Sequence, residues 1–121
     1  MTNSRALRIA AAAGLLAVAL GAFGAHGLRE FLGRNQTAAI WEKAVLYHLV
    51  HAVMLFLLAG RSPLQKWPWL CFFMGILLFS GSLYLYAVTT IHWLVFVTPC
   101  GGVSFIVGWA WLALCLKSHP A

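Results

Sequence analysis

Four apolar stretches, at roughly residues 7–25, 40–60, 67–88 and 93–116, fill the chain almost end to end, with short polar breaks between them. Each is near the roughly 20 residues an α-helix needs to cross about 30 Å of hydrocarbon. The pattern predicts an all-α, polytopic membrane protein: four transmembrane helices in a compact bundle, forming one domain over residues 1–121.

Detail within the stretches refines this picture. In the first, Ala10, Gly14, Ala17, Gly21 and Ala25 recur every three or four residues and share a face. Small residues let helix backbones approach closely in lipid, where no hydrophobic drive pushes helices together. This helix is therefore expected at the centre of the bundle or at a subunit contact. Its basic start (Arg5, Arg8), apolar run and Ala22-Phe23-Gly24 also resemble a secretory signal. The apolar run is longer than a typical signal core, so retention is the expectation. The first loop, 26–39, mixes Leu28, Phe31 and Leu32 with Arg29, Glu30 and Arg34. It reads as amphipathic turns lying in the membrane interface. Thr37 follows as an expected N-cap. Trp67 and Trp69 should mark the head-group level, and Pro68 suits a first helical turn. In the fourth stretch Thr98-Pro99 resembles a helix start, with Gly101-Gly102 just beyond. The helix should start afresh there, leaving 92–97 as a separate short piece; the alternative is one kinked helix from Ile91.

Composition agrees. The 121 residues are 63% hydrophobic and 8% charged, with a mean hydropathy of +0.90. A soluble domain this small has too little interior to hide so much apolar surface. The formal charge is +6, but its basic residues sit at helix ends and in loops, as lipid head groups demand, and form no patch for nucleic acid. Arg5, Arg8, Arg61, Lys66 and Lys117 fall on one side of the predicted membrane; Arg29, Arg34 and Lys43 fall on the other. Five against three favours both termini in the cytoplasm of a bacterial inner membrane. Cys71, Cys100 and Cys115 show no paired spacing and read as apolar packing residues.

The candidate chemistry is concentrated in the second stretch. On a helix Ala44, Tyr47, His48 and His51 occupy one arc, and ionisable residues inside a membrane suggest function. His26, His48 and His51 are the candidate ligands for a metal, a haem or a proton relay. Against that stands a structural role, in which neutral histidines hydrogen-bond across helices. Ser80, Ser82, Tyr84 and Thr98 are further candidates for a polar, substrate-binding lining, and the amides after Pro99 for an anion site. Gly101, Ser104 and Gly108 form one stripe suited to close helix contact. The chain has no Asp, no P-loop, no GxSxG and no HExxH, so no conventional enzyme is expected.

Three stretches act together as a motif set: Gly21-Ala22-Phe23-Gly24-Ala25-His26-Gly27-Leu28; WEKAVLYHLVH from Trp41 to His51; and Ser80 to Tyr84 with Thr98-Pro99 and Gly101-Gly102. On these the chain resembles the domain-of-unknown-function 423 family of small membrane proteins, found in bacteria with relatives in mitochondria. The resemblance covers nearly the whole chain. It implies a four-helix inner-membrane protein, and it implies no activity. The motif positions are His26, Tyr47, His48, His51, Ser80, Gly81, Ser82, Thr98 and Pro99. Three functions are expected, in order: an oligomeric transporter or channel, an accessory subunit of a larger membrane complex, and a histidine-ligated metal or haem protein. No cofactor is predicted outright. The expected partners are the lipid bilayer and either further copies of the chain or a larger complex.

Overall fold

A computed structural model describes residues 1–115; Leu116 and Lys117, placed above in the last span and the C-terminal charge count, lie outside the described residues. Four helical spans long and apolar enough to cross a membrane run over Asn3–Ala25, Ala38–Ala59, Lys66–Thr89 and His92–Cys115. The first is helix α1 (Asn3–Ala25), capped by the Thr2 hydroxyl, which accepts from the Arg5 amide at 3.2 Å. A seven-residue helix α2 (Arg29–Asn35) supplies the amphipathic turns expected in the first loop, with Leu32 buried and the charges outward. Helix α3 (Ala38–Ala59) is the second span.

The third span is continuous but not uniform. Helix α4 (Lys66–Gly75) passes through a π-helical turn (Ile76–Ser80) into helix α5 (Gly81–Thr89). Pro68 sits in the first turn of α4, where its missing N–H has no helical acceptor to lose. The fourth span is broken as anticipated: a 3₁₀ turn (His92–Phe96) precedes helix α6 (Thr98–Cys115).

Helix α3, not α1, is the centre. Of its most apolar window 39% is buried inside the bundle, against 17% for α1. Helix α1 packs along α3 and hardly elsewhere; α4, the π turn and α5 also pack on α3, while α6 packs mainly on α4 and the π turn. The small-residue face of α1 is therefore used on one neighbour only. Ala6, Ala10 and Ala17 are buried, whereas Gly14 faces open space. Large exposed side chains such as Leu15, Phe56, Leu77, Val103 and Ile106 ring the bundle, as a lipid solvent allows.

Two apolar clusters bracket a polar middle. One joins Ala6, Ala10, Leu55, Leu58, Trp69, Phe72, Ile76 and Phe105; the other joins Leu32, Trp41 and Ala87 near the α2 end. Trp67 is exposed beside Lys66, whose ammonium lies 5.3 Å from its ring centroid. Trp69 does not mark the surface beside it: it is 1% exposed and stacks on Phe73 at 5.4 Å. Close approach rests on glycine at a few points. A Cβ on Gly24 would enter the indole of Trp41, whose Nε1–H donates to the Leu20 carbonyl at 2.9 Å.

Thr37 stands at the N-cap of α3 but makes no cap bond. Its buried hydroxyl instead donates to the Ala87 carbonyl at 2.7 Å, beside Asn35 Nδ2 donating to the same oxygen at 3.2 Å. These bonds tie the end of α2 to the end of α5. Replacing Thr37 with Val keeps the shape and removes the donor. Thr37→Val should lower stability by about 1 kcal/mol, read as a lower midpoint in thermal unfolding of the detergent-solubilised protein. An unchanged midpoint would show that the tie is dispensable.

Candidate functional site

The two histidines of the second span come from the most buried helix, and both are inside: His48 is 2% exposed and His51 4%. They do not converge. Helix α3 buries one face and exposes Leu46, Val50, Val53 and Leu57 on the other, and within the buried face a step of three residues turns each ring to a different neighbour. The Nδ1 of His48 is 2.9 Å from the Tyr84 hydroxyl on α5. His51 faces α6 instead. The Trp109 indole N–H donates to His51 Nε2 at 3.0 Å, and His51 Nδ1 lies 2.7 Å from the Tyr47 carbonyl one turn back. An indole only donates and a carbonyl only accepts. The His51 proton is therefore on Nδ1, and both nitrogens are occupied. Phe105 stacks on the ring at 3.7 Å and 13°.

The hydroxyls of the third and fourth spans are likewise engaged with neighbouring helices. Ser80 donates to the Ala44 carbonyl of α3 at 2.8 Å. Ser82 donates to the Phe79 carbonyl at 2.9 Å and pairs with Thr98 at 2.6 Å. Phe79 and Ser80 lie in the π turn, and such turns shift the backbone pairing by one residue. The Ser82–Thr98 pair links α5 to α6, and the Leu94 carbonyl lies 3.4 Å from Thr98 Oγ1 as a further acceptor. Ser104 donates to the Cys71 carbonyl at 2.6 Å, and Gly101 and Gly108 beside it receive Phe79 and Phe72. The stripe foreseen on the fourth span therefore faces the third. The anion site expected after Pro99 is not formed, because the amides of Cys100 and Gly101 both donate to the Val97 carbonyl at 3.1 and 3.3 Å.

His26 ends α1 and is exposed at its C-cap, away from the other two histidines. Among the described residues no group of three or more His, Cys, Asp or Glu side chains is placed to hold a metal ion. Cys71, Cys100 and Cys115 are free thiols. Tyr47 is 40% exposed, its ring against Phe79 at 4.7 Å. One partner of the histidines, Trp109, was not foreseen. Trp109 stands among the tryptophans of the fourth apolar stretch with no spacing that singles it out.

A cleft adjoins His48. Helix α1 and the third span both pack on α3 but scarcely on one another. Between them lies a space of about 300 Å³ whose walls include Ile9, Leu16, Phe73 and Leu77, and which also meets His48 and Tyr84. Its walls are almost wholly apolar, so the His48–Tyr84 pair is its one polar feature.

Comparison with known proteins agrees with this architecture. Residues 20–102 match the family model described as a protein of unknown function, DUF423. A UPF0382 membrane protein of Staphylococcus epidermidis is 45% identical over 105 residues, covering 83% of this chain and 84% of its own. The UPF0382 membrane protein YwdK of Bacillus subtilis is 46% identical over 102 residues, 78% of this chain and 81% of its own. The UPF0382 inner membrane protein YgdD of Escherichia coli K12 is 40% identical over 115 residues, 91% of this chain and 87% of its own. No solved structure matches. With four membrane-length helices and a family match across most of its length, the chain is an integral membrane protein belonging to the DUF423 family.

Proposed function

We propose that the protein acts in the bacterial inner membrane as a transport-like binding protein that takes a lipid-soluble molecule from the bilayer into the cleft between α1 and the third span. The observation that carries this reading is the cleft itself: about 300 Å³ of apolar space with a single polar pair, His48–Tyr84. Ligand sites are mostly apolar pockets of roughly 300–1,000 Å³ with a few placed polar groups. The name of the E. coli relative supports the inner membrane, and the basic residues of the loops support cytoplasmic termini.

A polar conduit through one bundle fits the contacts less well. Ser80, Ser82, Ser104 and Thr98 are all engaged in helix-to-helix bonds. Acid–base catalysis has thin support too, since Glu30 and Glu42 are both exposed. An assembly role is the second reading. It draws on α1, whose outer side is unpacked and whose Gly14 has nothing within 4 Å.

Extraction into lipid nanodiscs without detergent, followed by native mass spectrometry, tests the proposal. The expected result is a retained lipid-soluble adduct that disappears in Leu16→Trp, because Leu16 lines the cleft and is 52% exposed. The same adduct on both proteins, or none on either, overturns the reading. A stoichiometric larger complex with an empty cleft would replace it with the assembly role, and bound metal or haem with a histidine-ligated centre.

A further inference from the structure

A separate space lies at the α2 end of the bundle, and this one has a carboxylate in its wall. It measures about 300 Å³ and is lined by Gly21 and Gly24 of α1, Leu32 of α2, and Trp41, Glu42 and Leu46 of α3. The glycines bring α1 close to α3: a Cβ on Gly21 would stand 3.1 Å from Val45, and one on Gly24 would enter the Trp41 indole. Neither has a side chain to fill the space beside it. The lining residues of α3 run from Ala38 to Leu49, about 16 Å at 1.5 Å per residue. Glu42 lies one turn inside the span that begins at Ala38, and Leu46 and Leu49 follow deeper in. Glu42 is one of two acidic residues in the chain. It is exposed, and among the described residues it makes no ion pair. Nor is it in the first turn of α3, where a carboxylate would serve the free amides. A charge on a membrane span is costly unless something answers it.

We infer that this groove holds a membrane lipid whose headgroup carries a primary ammonium, with the ammonium on the Glu42 carboxylate and an acyl chain along Leu46 and Leu49. The site shares no lining residue with the cleft at His48 and does not rest on the reading of that cleft. Its shape is that of an amphiphile, charged near the end of the span and apolar further in. The sign of the charge selects the headgroup. A carboxylate attracts an ammonium and repels a headgroup of net negative charge. A primary ammonium also donates a charge-assisted hydrogen bond to a carboxylate oxygen, which a trimethylammonium cannot do. Lys43, next in the chain and exposed, supplies positive charge at the same level for the lipid phosphate. Leu46 is 59% exposed on a membrane span, so the groove opens where lipid is the solvent.

The test places the full chain in nanodiscs of equimolar phosphatidylethanolamine and phosphatidylcholine with identical acyl chains, and counts the lipids retained in native mass spectrometry. The ethanolamine lipid should be kept over the choline lipid by about threefold to fivefold, the worth of one exposed ion pair. Glu42→Gln should bring that ratio to about one. Glu30→Gln removes the other carboxylate, which does not line the groove, and should leave the ratio unchanged. Leu46→Trp should fill the groove and lower retention of both lipids, whereas Leu16→Trp, in the other cleft, should not. The substituted side chains are all exposed, so each variant is expected to fold. A wild-type ratio near one, a ratio that survives Glu42→Gln, or one lost equally in Glu30→Gln overturns the assignment. Loss of the ethanolamine lipid in Leu16→Trp but not in Leu46→Trp overturns it as well, by moving the lipid to the cleft at His48. A lipid-free dimer that Leu46→Trp breaks overturns it in favour of a second copy in the groove. If Leu46→Trp does not fold, Glu42→Gln against Glu30→Gln decides the matter.

Discussion

Gly101→Val should abolish the folded protein, while Gly14→Ala should leave it unchanged or slightly more stable. Both are small residues on membrane helices, and only their surroundings differ. A Cβ at position 101 would collide with the backbone nitrogen of Phe79 and lie 2.7 Å from its Cα. The obstacle is backbone, so no rotamer change relieves it. Helix α6 would have to move away from the π turn, taking with it the Ser82–Thr98 and Ser104–Cys71 bonds. Overpacking of this kind costs about 3 kcal/mol or more. At Gly14 nothing lies within 4 Å of the added methyl, and alanine is the better helix former. Fluorescence-detected gel filtration after a heating series checks both. A monodisperse Gly101→Val protein with wild-type melting would show that α6 and the third span are not packed as described.

The outcome also bears on how far such a protein is readable from sequence. The four spans are written in hydropathy, and their observed bounds lie within a few residues of the apolar stretches. The break before Thr98-Pro99 is legible because proline removes a ladder bond. The stripe of Gly101, Ser104 and Gly108 is legible because lipid-embedded helices meet through small residues. Neighbourhood is not legible. The small face of α1 predicts close packing, but not that one partner would suffice for it. The arc holding His48 and His51 predicts that both are inward; it does not say which neighbouring helix each ring meets. Tyr84 and Trp109 receive one histidine each. Two helix ends were silent for another reason. Gln36 and Thr90 adopt left-handed backbone at φ 57° and 54°, a conformation that glycine usually signals. Here its place is taken by residues with no such signature.

A pattern links the polar residues that the motif set brought out. Their bonds join different pairs of elements: Ser80 to α3, Thr98 to the third span, His48 to α5, His51 to α6. In lipid such bonds average well under 1 kcal/mol each. Their larger effect is on register, since a slip of one residue would strand several donors at once. Both histidine pairs, His48–Tyr84 and His51–Trp109, also border an open space of about 300 Å³.

The second large effect is expected at His51. His51→Ala removes a ring stacked on Phe105 at 3.7 Å and edge-on to Phe72 at 5.2 Å. It also strands the Trp109 N–H and leaves a void in the middle of the bundle. Truncation of a buried large side chain typically costs 2–5 kcal/mol, and about 3 kcal/mol is expected here. His51→Phe restores the ring without the bonds, so about 1 kcal/mol of loss should remain. His26→Ala should change nothing measurable, since that side chain is exposed at the end of α1. Unfolding midpoints of the three variants, with and without a chelator, separate a packing role from a ligand role. A structural His51 predicts a graded series and no chelator effect. If chelation lowers the wild-type midpoint to that of His51→Ala, a metal holds the ring instead. The Nδ1-protonated form deduced from Trp109 and Tyr47 would then be wrong, because a metal needs the lone pair that Trp109 now occupies.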